Sequence, residues 1–269
     1  MPWIKKEMPL VPGYESLGDD VAAKRWVDFK LNKLLEVDDD LREYISSEIP
    51  GSGVNIKTRE DICNFVIAAF DYPLRAGVPT DKHYNNWFDS NCCHQITADY
   101  WQQASETLRT LRLNQRGGKK GFGDCEDVSC LFVTLFLMKG WQAWECLGLV
   151  LQDGQVLGGH GWSLFPDGIK HWRLYEATLS EPLIYPDGYP IADPDATEWK
   201  IGDITYQAFA RFKRKEYYES GEGDMFTKYL NMKFGSKETR KKYEAISKAW
   251  KQKTKPLVKL GLLSKLRWR

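Results

Sequence analysis

Long apolar runs are the first thing this sequence lacks. The longest, Cys130 to Met138, falls far short of the roughly 20 residues a helix needs to cross a bilayer, so no membrane span is expected. Met1-Pro2-Trp3-Ile4-Lys5-Lys6-Glu7 leads into no apolar stretch of the kind a secretory leader carries, and the expected location is the cytoplasm. No CxxC pair occurs among Cys63, Cys92, Cys93, Cys125, Cys130 and Cys146. These read as thiols of a reducing compartment and not as a disulfide framework. No internal repeat or low-complexity run is visible. Aromatic residues are plentiful by contrast, with 11 Trp, 13 Tyr and 12 Phe in 269 residues, enough for a sizeable core and against global disorder.

Net charge is also nearly absent, at +1, but the balance is uneven. From Lys228 to Arg269 there are fourteen Lys/Arg against two acids, giving +12, and the preceding 227 residues carry −11. Two opposed blocks suggest a body and an appendage with different tasks. The basic segment, with Trp250 among its charges, is a candidate surface for nucleic acid or an acidic partner; the blander reading is a helix lying across the acidic body. Leu257, Leu260, Leu262, Leu263 and Leu266 favour docking of some kind.

Helical spacing of Val27, Leu31, Leu34 and Leu35 predicts a helix over 19–44. A second helix is expected after Thr58 as N-cap, and a third over 100–113 with Ala104, Leu108 and Leu111 on one face. Asp124 then caps a buried helix in which Val128, Leu131, Phe132 and Leu135 form the apolar stripe, ending at Gly140. Strand-like runs follow at 143–151, 160–165 and 172–177, separated by Asp153-Gly154 and Pro166-Asp167-Gly168 as in an antiparallel meander. The fold class expected is α+β. Residues 74–98 and 182–203 read as irregular, the latter wrapping the surface, and weak helical signal returns after Phe226. The organisation expected is an N-terminal helical region (1–57), a catalytic core (58–203) and a basic helical C-terminal region (204–269).

Cys125 falls in the first turn of the buried helix, where free N–H groups and the helix dipole favour a thiolate. Gly121 and Gly123 are read as keeping the approach open. Taken alone, Cys125 is as well explained as a small buried residue. Thirty-five residues on, His160 opens a strand in Gly158-Gly159-His160-Gly161-Trp162 and can act as the base. Glu176 ends the next strand, and an antiparallel pairing through the intervening turn sets it beside His160, where it can orient the imidazole.

The combination Gly123-Asp124-Cys125-Glu126-Asp127, Gly159-His160-Gly161-Trp162 and Trp172-Arg173-Leu174-Tyr175-Glu176-Ala177-Thr178 resembles the transglutaminase-like superfamily, closest to its bacterial transglutaminase-like cysteine proteinases. Tyr100 to Leu108 is similar to the run before their nucleophile, and the likeness covers about residues 60 to 180. The resemblance implies a papain-like core with Cys125 as nucleophile, His160 as base and Glu176 as orienting acid. The family often has Asp at that third position, and the loop from Asn114 to Phe122 looks like an insertion. The implied function is a thiol hydrolase acting on peptide or protein amides, a protease or isopeptidase. A transglutaminase or deamidase with the same triad, or a non-catalytic module retaining the fold, are the alternatives. The oxyanion hole is expected to use the Cys125 N–H with a second donor from Trp101 or Gln102.

No cofactor or metal is expected. Cys92-Cys93-His94 with His83 is poorly spaced for zinc. Gly117-Gly118-Lys119-Lys120-Gly121 lacks phosphate-loop spacing. Asp38-Asp39-Asp40 lacks the flanks of a calcium loop. Cys63 and Cys146 read as core, and Cys130 as turned away from Cys125.

Overall fold

A computed structural model of the chain describes residues 2–17, 20–46, 56–71, 101–115, 120–168, 171–178, 188–221 and 226. The cysteines and histidines weighed and set aside as a zinc site, the glycines 117 and 118, the irregular segment 74–98 and the basic segment from residue 228 lie outside these residues.

Helix and strand are mixed, with an eight-stranded antiparallel sheet at the centre. Its middle is the meander expected from the sequence: β6 (Trp144–Gln152), β7 (Gln155–Asp167) and β8 (His171–Tyr175). Gln152 pairs with Gln155, and both residues between them, Asp153 (φ 50°) and Gly154 (φ 78°), are left-handed, as a two-residue hairpin turn requires. β9 (Ile191–Ala192) closes one side by pairing with β8. On the other side β6 pairs along its length with β11 (Ile204–Lys213). A register shift between Ala208 and Ala210 divides that strand: its first half also pairs with β10 (Glu198–Ile201) and its second with β12 (Glu216–Ser220). β1 (Trp3–Lys5) adds to β12 at the edge, and a separate short parallel pair is formed by β4 (Phe70–Asp71) and β5 (Gly121–Phe122).

The helix expected after Thr58 forms as α2 (Arg59–Ala69), following α1 (Asp39–Ser46). Thr58 Oγ1 accepts the Asp61 N–H at 3.1 Å while Asp61 accepts that of Thr58 at 2.7 Å. This reciprocal cap satisfies two donors that a helix start otherwise leaves open. α3 (Ala104–Gln115) buries Ala104, Leu108 and Leu111 as expected. α4 (Cys125–Met138) is buried on every side from Cys125 to Phe136: beyond its polar first turn the sequence is apolar on nearly all faces and not only along one stripe. It lies against one face of the sheet, where the Phe132 ring stacks on Tyr175 at 4.0 Å and Phe136 meets Phe165 at 5.3 Å. The opposite face holds a second apolar cluster that includes Trp144, Trp162, Leu164, Leu174, Trp199 and Tyr206. Alternation along β7, with Trp162 and Leu164 on one side and Phe165 on the other, divides the two cores.

Three segments differ from the sequence expectation. Within 19–44, Asp20–Lys30 is a strand (β3) that pairs antiparallel with β2 (Leu10–Leu17); only the following Leu31–Leu35 turn of 3-10 helix and α1 are helical. Val21, Trp26, Val27 and Phe29 suit a strand as well as a helix face, and pairing with 10–17 decides between them. Leu31, Leu34 and Leu35 are buried all the same. Residues 182–203 do more than wrap the surface, since β9 and β10 join the sheet. The described part of 204–269 is strand up to Ser220, not helix. There β11 satisfies its backbone on both edges, which a surface helix would not do at an open sheet edge. Among the described residues no helix is long and apolar enough to cross a membrane.

Candidate active site

The start of α4 is built by carboxylates. Asp124 takes extended backbone as N-cap, and its N–H donates to Asp127 Oδ2 at 3.2 Å in a second reciprocal cap. Asp127 is fully buried and also accepts the Gln102 backbone N–H (2.7 Å) and Nε2 (2.9 Å). Gln102 is thereby tied to the nucleophile helix, although its amide serves Asp127. Trp101 is buried and stacks on Phe226 at 6.1 Å.

Cys125, the first residue of α4, is buried and donates its thiol to Glu126 Oε2 at 3.2 Å. The Gly161 backbone beside it favours the thiolate. Burial raises the thiol well above its ordinary pKa, and the charges of Glu126 and Asp124 push the same way; only the Gly161 backbone opposes them. The helix dipole therefore does not make Cys125 a resting thiolate, contrary to the sequence expectation, because two flanking carboxylates and desolvation outweigh it. Gly121 and Gly123 also differ from their expected role. A Cβ on Gly121 would stand 2.7 Å from the Phe70 ring, and one on Gly123 2.8 Å from Asp127 Cβ, so both serve packing rather than access.

Gly161 joins the helix to the sheet. A Cβ there would lie 3.0 Å from Glu126 Cα and 3.1 Å from its N, so β7 approaches the first turn of α4 only because this residue has no side chain. The adjacent His160 projects from β7 with its side chain 17% exposed. Its Nε2 and Glu176 Oε2 are 2.6 Å apart, across the hairpin that the sequence pattern anticipated. The last residue of β8, Tyr175, pairs with Ser163, which leaves Glu176 just beyond the ladder and free to turn back to His160. Burial alone would lower the imidazole pKa, but the charge and hydrogen bond of Glu176, with a smaller push from Glu126, raise it. Burial would raise Glu176, yet His160 and two bonds from Thr178 lower it. The two are hydrogen-bonded, and they form an ion pair when the imidazole is protonated.

His160 and Glu176 are thus brought together, and Gly161, next to His160, packs against the first turn of α4 where Cys125 stands. Among the described residues no hydrogen bond joins the Cys125 sulfur to the imidazole, and the ring's Nδ1 has no hydrogen-bond partner. Glu126 is the residue that acts on both groups.

Two contributors escaped the sequence reading. Glu145 on β6 is fully buried, and its Oε2 accepts from Ser129 Oγ at 2.6 Å; Ser129 Oγ in turn lies 2.6 Å from Ser163 Oγ. Burial, then the surrounding Glu126, Glu176 and Asp127 charges, holds its proton well above the usual carboxylate range. A single acid inside the apolar run 143–151 was the available signal. Tyr206 on β11 donates its hydroxyl to Glu176 Oε2 at 3.2 Å, with no local signal at all. Asp124, Cys125 and Glu126 also bring three potential ligand atoms within 4.8 Å of one another, and among the described residues these are the ones that could hold a small cation. Cys63, Cys130 and Cys146 are buried core thiols, as expected.

Against protein-family models, curated proteins and solved structures alike, the chain has no match.

Proposed function

We propose that Cys125, His160 and Glu176 form a transglutaminase-like thiol centre that transfers the acyl group of a peptide or protein amide, with water as the principal acceptor. The observation that carries this reading is the 2.6 Å contact of His160 with Glu176, one residue along β7 from Gly161, which packs against the first turn of α4 where Cys125 stands. In the neutral imidazole Nε2–H donates to Glu176, which leaves Nδ1 as the nitrogen that takes the thiol proton and turns the ring into an imidazolium paired with Glu176. Sulfur then attacks the amide carbon, and the tetrahedral oxyanion faces N–H donors at the helix start. Collapse breaks the C–N bond, the imidazolium gives its proton to the departing amine, and a thioester remains. Water, deprotonated by His160, cleaves the thioester and restores the thiol. A lysine amine in place of water makes the same centre a transglutaminase. Glu176 stabilises the imidazolium in both half-reactions.

The Cys125–Glu126 bond favours a second reading, a resting or disused centre, because it keeps the sulfur protonated and directed at a carboxylate. A peptidyl aldehyde or iodoacetamide, applied near neutral pH with peptide mapping, separates the two. The centre proposed here gives labelling at Cys125 ahead of Cys63, Cys130 and Cys146, slowed about 100-fold or more in His160→Ala. Labelling indifferent to His160 would sink it.

A further inference from the structure

We infer that Tyr206 is a positioning residue of the His160–Glu176 pair, reaching it from a strand outside the segment that resembles the thiol-enzyme family. The inference rests on the reading of Glu176 as the orienting acid. Glu176 is 4% exposed, so the donors around it are protein groups. Thr178 supplies two to Oε1, from its N–H (3.0 Å) and its hydroxyl (2.6 Å). Oε2 is held by His160 Nε2 and the Tyr206 hydroxyl together. Without Tyr206 that oxygen has a single partner, and the carboxylate can rotate toward Thr178.

The placement of Tyr206 is itself constrained. On β6, Gly148 pairs with His160 on one side and with Ala208 on the other. A Cβ at Gly148 would overlap the Gln207 carbonyl oxygen and stand 2.7 Å from Ala208 Cα, so β11 lies this close to β6 only across a glycine. Tyr206 is 6% exposed and its ring meets Trp162 edge-on at 5.2 Å, while Trp162 packs on Trp199 at 6.1 Å. The phenol is thus fixed over the pair by one strand approach and one aromatic cluster.

A merely structural tyrosine would contribute its ring; a positioning tyrosine contributes its hydroxyl to the ionised acid. Tyr206→Phe keeps the ring and separates these roles. With glutamate 13C-labelled at the carboxyl carbon and the Glu176 signal identified by Glu176→Gln, the full chain is titrated by NMR. Loss of one hydrogen bond to a buried charge should move the Glu176 titration upward by about one pH unit, a tenfold change in its acid dissociation constant. The acid limb of Cys125 alkylation should move with it. The amide spectrum of the same sample reports folding. An unmoved Glu176 titration in a folded Tyr206→Phe protein would overturn the inference, even if Cys125 labelling still depended on His160. A shifted titration supports it even if Cys125 fails the labelling test above, and only the thiol reading would then fall.

Discussion

The thiol of Cys125 donates to the carboxylate of its own neighbour, Glu126, at 3.2 Å. The nucleophile proposed above therefore rests against an acceptor that cannot help it ionise, because a thiolate there would face the Glu126 charge at contact distance. Activation requires the proton to leave toward His160 instead.

Glu126→Gln should consequently make Cys125 more reactive. The amide removes the repelling charge and can donate to the thiolate, so the thiol pKa falls. An increase of about tenfold in the alkylation rate at fixed pH corresponds to one unit of that fall. Iodoacetamide kinetics near pH 7 read it directly. Equal or slower labelling would mean that Glu126 assists the proton transfer rather than restraining it.

The His160–Glu176 pair should give stability a defined pH window. His160 is raised above its ordinary 6.5, so its contribution is full below that value and fades as pH rises through the folded value. Glu176 is lowered below its ordinary 4.5, so its contribution is full above that value and fades as pH falls through the folded one. Between about 4.5 and 6.5 both are present. Glu176→Gln should lose about 3 kcal/mol in that window, since it leaves a charged imidazole without its buried partner, and less on either side. Urea unfolding at a series of pH values checks this. A loss independent of pH would show that the pair is not ionised in the folded state.

Gly161→Ala should damage both stability and chemistry. Its methyl group would meet the Glu126 backbone at 3.0–3.1 Å and Glu145 Oε1 at 3.1 Å. Neither the helix nor the buried acid can retreat easily, so overpacking of about 1–3 kcal/mol is expected. Displacing β7 also moves the Gly161 backbone away from Cys125, and labelling should slow. Denaturation and alkylation measured on one preparation test both. A variant as stable as the parent would mean that the strand and helix are not in this close contact.

The local signals in the sequence were reliable where one segment carries both the pattern and its punctuation. Thr58 with Asp61 and Asp124 with Asp127 cap helices through residues three apart, and those contacts form wherever the helix forms. The β7–β8 hairpin is equally local: a short turn and a period of two suffice to bring His160 and Glu176 to 2.6 Å over sixteen residues of chain. β3 shows the limit, since Val27 and Leu31 lie at helical spacing but Val27 pairs in a strand. Its choice depends on a partner segment, and a window centred on 19–44 contains only half of that interaction.

By itself the sequence determined the α+β class, the buried helix that Cys125 opens, the meander and the meeting of His160 with Glu176, because each follows from contacts short along the chain. Tertiary structure alone decided that β11 and β12 complete the sheet, that Tyr206 reaches Glu176 from thirty positions away, and that burial pushes the Glu145 carboxyl well above its ordinary pKa. It also decided the state of Cys125. A helix N-terminus promises a thiolate, but burial and the fixed carboxylates of Asp124 and Glu126 set the proton's actual cost, and burial exists only once the chain has folded around them.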